Sequence, residues 1–289
     1  MGTTDEWRLL LGDGAPLHAQ GRRAWEHCVC RRGRARAIIG QGKRGGTMYR
    51  DAHVGEAPVG GAAFALPASC AGCPVRSSAI CCVLDDSGLT ALSRLGRRVT
   101  LAAGETLLWE GEEAVTVGNV LSGMLKLSTL TGDGREQIVG IVHPSDFIGR
   151  PFGKDSPHSA TALTDTTLCV FGRAAFDRFA REHAVIGQAL LERTLTELDR
   201  ARHWMLLLGR KSACERVASL IVEIADRADD GPAIDLPLSR QQMGDILGLT
   251  IETVSRSLTR LKRAGIIALP SLRRIAINRP GELRAIAEG

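Results

Sequence analysis

The amino-acid sequence predicts an α+β protein: a barrel or jelly roll of short strands, then one long helix, then a compact helical unit closed by two short strands. Three observations predict it. Between about residues 89 and 175, short apolar runs at 99–101, 105–109, 117–121, 138–142 and 167–171 alternate with turn signals. Leu191, Leu195, Leu198 and Met205 then recur at steps of four, three and seven, the spacing of a helix with one apolar seam. Finally, residues 239–267 carry a helix-turn-helix layout followed by apolar segments at 266–269 and 274–277.

The elements follow in order. The turns between strands hold Ala-Gly-Glu at 103–105, Ser-Gly at 122–123, Gly-Asp-Gly at 132–134 and Pro-Ser-Asp at 144–146, residues suited to positive φ and Asx-type connections. Many short strands at such spacing read as a closed or double-layered β structure. The Leu191–Met205 stripe, interrupted by Arg202, suits either pairing with a second copy or packing of the helix on its own domain. The expected division is a basic extension over 1–66, a cysteine-containing segment and β domain over 67–175, a dimerisation helix over 176–210, and a winged DNA-binding domain over 211–289.

Composition narrows the class. The 289 residues are 44% hydrophobic and 24% charged, with a net charge of +5, values of a globular chain able to build one or two cores. No apolar run approaches the length of a membrane span or forms a secretion signal, so a cytoplasmic protein without a membrane partner is expected. Between Arg22 and Arg50 lie nine Lys/Arg and one acidic residue. This stretch reads as a basic arm on DNA phosphates, as a solvated tail, or as sequence upstream of an initiator at Met48. No phosphate-cradling glycine loop or catalytic triad stands out, so no enzyme is expected.

The strongest motif is SRQQMGDILGLTIETVSRSLTRLKRAGII at 239–267. Ser239 is placed to cap a first helix whose inner face is Met243, Ile246 and Leu247. Gly248 stands where that helix must end in a left-handed turn, and Leu249 fixes the corner. Thr250 is placed to cap the second helix, with Ile251, Val254, Leu258 and Leu261 inward. Glu252, Ser255, Arg256, Thr259 and Arg260 are then left outward, a set able to donate to guanine, accept from cytosine and adapt to either. Over 236–280, eight Lys/Arg face two acids, the excess that phosphate contacts need.

The cysteines form a second pattern. Cys70, Cys73, Cys81 and Cys82 read C-x2-C-x7-C-C, and Cys169 lies in the strand-like run LCVF. In a reducing compartment such thiols serve metals or redox chemistry rather than disulfides. An iron–sulfur cluster, a tetrahedral zinc site made from the four local cysteines, and free thiols all fit this spacing. Cys169 alone reads as a small buried hydrophobe. Cys28, Cys30 and Cys214 read as incidental.

Taken together, CAGCPVRSSAIC at 70–81, PSDFIGRPFG at 144–153 and LGLTIETVSRSLTRLKRAGII at 247–267 resemble the CRP/FNR superfamily of bacterial regulators, and its FNR branch of oxygen sensors. The resemblance covers roughly 68–285. It implies a cyclic-nucleotide-binding-like β-roll as sensor domain, a homodimer, and contact with RNA polymerase. It assigns Glu252, Ser255 and Arg256 to a TTGAT-type half-site in palindromic double-stranded DNA; Thr250, Arg260 and Ser239, read from the motif itself, are expected at the same DNA interface. It further implies an oxygen-labile [4Fe-4S] cluster on Cys70, Cys73, Cys81 and Cys169, adjacent Cys82 leaving the third ligand open by one residue. A zinc-binding or nitric-oxide-responsive cysteine site is the alternative. In the cyclic-AMP branch a Glu and an Arg-Ser pair hold the nucleotide; the matching places here look like Arg150 after Gly149 and His158 before Ser159. No cyclic nucleotide is therefore expected.

Overall fold

The computed structural model describes residues 68–227 and 233–289; the basic extension over 1–66, with Cys28 and Cys30, lies outside them. A short helix α1 (Ala68–Ala71) carries Cys70 and a 3-10 turn (Ile80–Val83) carries Cys81 and Cys82, with Cys73 between them, and α2 (Asp86–Leu95) follows. Leu89 thus belongs to a helix, where strands were expected. Its start is explained by Asp85, whose carboxylate accepts the Gly88 amide at 2.7 Å as an N-cap.

Eight strands come next: β1 (Gly96–Leu101), β2 (Thr106–Leu108), β3 (Thr116–Ser122), β4 (Leu125–Leu130), β5 (Glu136–Val142), β6 (Phe147–Ile148), β7 (Ser159–Ala162) and β8 (Thr166–Gly172). They form two antiparallel four-stranded sheets, ordered β1-β8-β3-β6 and β2-β7-β4-β5. Their connections use the expected turn residues, with positive φ at Gly104, Gly123, Gly134 and Ser145. Alternation sends Leu101, Val120, Leu125, Ile148, Leu168 and Val170 into the space between the sheets. Strands β4, β6 and β7 were not foreseen. In β4 and β7 the residues LKLSTL and SATA carry too few large apolar side chains to announce themselves.

The opposite face of the first sheet is covered by helices. α3 (Arg173–Glu182) and α4 (Ala184–Arg210) bring Phe176, Phe179, Ile186 and Ala189 onto Val117 and Phe171, together with Ile80 and Leu92. The stretch expected as one helix from 176 is therefore two, broken at His183, whose backbone leaves helical geometry.

The C-terminal unit comprises α5 (Ala213–Arg227), β9 (Ala233–Asp235), α6 (Arg240–Leu247), α7 (Ile251–Arg263), β10 (Ile267–Ser271), β11 (Arg274–Ile277) and α8 (Pro280–Glu288). Its sheet runs β10-β11-β9, the wing, with β9 an unforeseen third strand. One core gathers Val217, Leu220, Ile221 and Ile224 of α5, Met243 and Leu247 of α6, and Leu258 and Leu261 of α7. Ile138 and Leu163 of the β-roll enter the same core, so the β-roll and the winged domain share packing. Among the described residues no helix is long and apolar enough to cross a membrane.

Candidate nucleic-acid interface and cysteine site

The helix-turn-helix is set by local chemistry. Ser239 accepts from the Gln242 amide at 3.1 Å while the Gln242 side chain accepts from the Ser239 amide at 2.8 Å, a reciprocal capping box that starts α6. Gly248 ends it at φ 61°, a conformation that costs a residue with a Cβ. Gly244 is required for a different reason: a Cβ there would lie 2.5 Å from the Leu249 carbonyl oxygen, so the corner can close only on glycine. Thr250 accepts the Thr253 amide at 3.3 Å and starts α7.

In α7, Val254, Leu258 and Leu261 are buried, while Glu252, Ser255, Arg256, Thr259 and Arg260 are all exposed on one face. Ile251, expected inward, is 40% exposed. It occupies the first position of the helix, a turn ahead of the core that receives Val254. Arg256 donates to the Thr253 hydroxyl at 3.1 Å, which pre-orients its guanidinium. The Glu252 carboxyl is held below its usual range by its own backbone amide and the Thr250 hydroxyl, with Arg256 adding to the effect, so it stands ready as an acceptor.

Helix α4 presents Leu191, Leu195, Leu198 and Met205 to solvent, with exposures of 59, 52, 44 and 73%. The stripe does not pack on its own domain. Arg202 sits in the seam, exposed and paired with Asp199 at 3.3 Å. An apolar seam of this length left in water suits a partner helix.

The cysteines meet across the sheet. Cys169 lies mid-β8, opposite Arg98 of β1 and Asn119 of β3. Since Leu168 and Val170 point between the sheets, Cys169 faces the helical side. There Cys70, Cys73, Cys81 and Cys169 border one cavity of about 70 Å³, walled by Val75, Ala79, Leu121 and Phe171, with Arg76, Arg97 and Arg98 at its edge. The loop bearing them is shaped by turns, Cys73 N–H to the Cys70 carbonyl at 3.3 Å and Ala79 N–H to the Val75 carbonyl at 2.7 Å. It is anchored by Ile80, fully buried, whose N–H reaches the Asn119 side-chain oxygen at 3.4 Å.

Cys82 does not border this cavity. The set that converges is therefore Cys81 with the distant Cys169, not four neighbours in the loop. Burial first, then the neighbouring sulfurs, raise the Cys81 thiol to about 12 and the Cys169 thiol to about 11. To act as thiolates in so apolar a pocket, these sulfurs would need a positively charged centre among them, the chemistry of a soft-metal donor set. Among the described residues no three ligating groups are drawn together tightly enough to chelate one ion.

A larger cavity of about 390 Å³ opens between the β-roll and α4, and the places singled out at Arg150 and His158 do line it. The helix adds two guanidiniums that the sequence did not show, Arg193 and Arg200. Both are engaged elsewhere, Arg193 on loop carbonyls and Arg200 on Glu197 at 2.8 Å. The His158 Nδ1 is buried without a hydrogen-bond partner among the described residues.

A β-roll, a helix with an open apolar seam and a winged helix-turn-helix define a DNA-binding regulator. Comparison with known proteins agrees. The description "Cyclic nucleotide-binding domain" matches residues 98–183, and "Crp-like helix-turn-helix domain" matches 215–286. The chain is 43% identical to the transcriptional activator protein FnrL of Cereibacter sphaeroides, over 72% of this chain and 87% of that protein. It is 42% identical to the nitrogen fixation regulation protein FixK of Bradyrhizobium diazoefficiens, over 69% and 86%. The solved structure of FixK2 from Bradyrhizobium japonicum superimposes with a TM-score of 0.63 at 34% identity, covering 66% of this chain and 96% of that one. The chain belongs to the CRP/FNR superfamily of transcription regulators, in its FNR-type branch. It is a transcriptional activator of that family and not an enzyme.

Proposed function

We propose that this chain is a cytoplasmic, oxygen-responsive activator of anaerobic and microaerobic genes, working as a homodimer on palindromic TTGAT-type sites and engaging RNA polymerase there. The observation that carries the oxygen reading is the convergence of Cys70, Cys73 and Cys81 with Cys169 on one small cavity. These four would hold a [4Fe-4S] cluster, a centre that molecular oxygen dismantles. Their part is to keep the N-terminal loop drawn against β8. When the thiols are released, the loop loses its tie to the sheet and with it the support it gives α4. The exposed seam of α4 is marginal because of Arg202, so a few kcal/mol of lost order suffices to open a dimer. With the dimer intact, two α7 helices present Glu252, Ser255 and Arg256 to successive major grooves, with Thr250, Arg260 and Ser239 toward the backbone.

The test is anaerobic purification with iron and sulfide analysis and an absorption spectrum, then admission of air while binding to a TTGAT palindrome is followed. About four irons per chain, with absorbance and DNA binding falling together, is the expected result. A colourless zinc protein that binds equally in air would sink the oxygen reading and leave the activator. Cys81→Ser should abolish iron retention and Cys82→Ser should not; equal effects would refute the ligand assignment. Leu198→Asp should give a monomer that no longer binds its site, whereas unchanged anaerobic binding would refute this use of α4.

A further inference from the structure

The turn between β5 and β6 is where four parts of the molecule meet. Ser145 holds φ 77°, a left-handed backbone that a non-glycine residue adopts only when its surroundings impose it. The surroundings are unusually complete. The Ser145 N–H reaches the Val120 carbonyl at 2.9 Å, and the Val120 N–H reaches the Asp146 carbonyl at 3.1 Å. The turn is thus pinned to β3 between Asn119 and Leu121, both of which border the cysteine cavity.

Two side chains reach outward from this turn and one reaches into it. The Ser145 hydroxyl lies 2.6 Å from the hydroxyl of Ser78, in the loop between Cys73 and Cys81. One guanidinium of α4, that of Arg193, donates through Nη1 to the Ser145 carbonyl at 2.9 Å and through Nη2 to the Ser78 carbonyl. It clips the cysteine loop and the turn together from the dimerisation helix. The next residue, Asp146, accepts through Oδ2 from the His143 amide at 2.9 Å and from Arg227 of α5 at 3.1 Å, which ties the turn to the winged domain.

We propose that Arg193 and the Ser145–Asp146 turn are positioning residues that transmit the state of the cysteine loop to the dimerisation helix and to the DNA-binding domain. The inference rests on the cysteine reading above for the signal, but on its own hydrogen bonds for the route. A planar fork with two donor arms is what the junction needs, since one arm must hold each carbonyl; a lysine supplies charge but not the fork. When the loop shifts, Ser78 moves, the fork can no longer satisfy both carbonyls, and α4 loses its register against the roll. Through Asp146 the same displacement pulls on Arg227 at the C-terminal end of α5, the first helix of the winged domain. Two discrete arrangements of one packed junction, rather than a long wire, then couple the sites.

The experiment uses the full chain. Arg193→Met, Arg193→Lys and Asp146→Asn are purified anaerobically, assayed for iron and sulfide, and titrated with a TTGAT duplex before and after air. The expected result is wild-type iron in all three, with the affinity change on admitting air reduced to less than about twofold in Arg193→Met and intermediate in Arg193→Lys. Wild-type iron together with the full wild-type change in Arg193→Met would overturn the proposal. If the unaltered chain holds no iron or shows no response to air, the cysteine reading fails instead, and hydrogen exchange on the metal-free protein decides the link. Arg193→Met must then loosen residues 75–82 and 143–147 together, and Asp146→Asn must loosen α5. Loosening confined to the substituted element overturns it. A variant that fails to fold is replaced in each arm by Arg193→Lys, which must show the same joint loosening to a lesser degree.

Discussion

The winged domain and the cysteine pocket stand on very different amounts of core. Among the described residues, the cluster behind α6 and α7 gathers twenty-two buried side chains, while the small cluster beneath the cysteine loop has three, Val75, Ala79 and Leu121. The first supports a reading surface whose geometry is complete before DNA arrives. The second leaves the stretch before Ile80 with little core of its own, Ile80 itself belonging to the neighbouring cluster with Phe171 and Phe176. Low local stability is what a sensing segment requires, because only an element near its opening threshold can be moved by a local chemical event.

The contrast can be broken or sharpened by substitution. Leu258→Ala, in the large core, should cost about 2–5 kcal/mol and lower the thermal midpoint of the whole winged domain; a loss confined to α7 would mean that this core is not one cooperative unit. Arg256→Met should cost about 1–3 kcal/mol of DNA binding and relax base preference, leaving the midpoint unchanged. Uniform weakening across all sequences would demote Arg256 to a phosphate contact. Val75→Ala, in the small core, should cost about 1–2 kcal/mol, visible as faster hydrogen exchange over 70–83 rather than as a lower global midpoint. Ser239→Ala should cost about 1 kcal/mol by removing one half of the capping box, read by denaturant midpoint.

A pH-dependent effect lies between the two regions. Burial first, then the Arg227 guanidinium, push the His143 imidazole down from 6.5 to about 4, with Asp146 opposing and Arg200 reinforcing. The unfolded chain takes up a proton below pH 6.5 that the folded chain refuses until near 4, so this group is neutral to stability above 6.5 and destabilising as pH falls toward 4. Glu223, on the α5 side, is raised chiefly by burial and acts with the opposite sign, its contribution lost as pH rises through its own value. The difference between the native chain and His143→Gln isolates the imidazole: the variant should lose less stability on acidification from pH 6.5. Parallel declines would show that His143 is not buried neutral at this junction.

The sequence by itself determined the elements that depend on neighbours a few residues away. Ser239, Gly248 and Thr250 write the start, corner and restart of the helix-turn-helix in a dozen positions, because caps and left-handed turns are satisfied locally. The outward set from Glu252 to Arg260 followed from helical period alone. Ile251 did not, since period places a residue on a face but not at a depth. Only the tertiary structure placed Cys169 on one cavity with Cys70, Cys73 and Cys81, a cavity that Cys82 does not border, because which face of β8 a sulfur occupies depends on the register of two other strands. It alone decided that the α4 stripe does not pack on its own domain, and it alone placed Ser78, Ser145, Arg193 and Arg227 at one junction. Those groups are far apart in the chain, and their hydrogen bonds exist only after the roll, the long helix and the winged domain have packed.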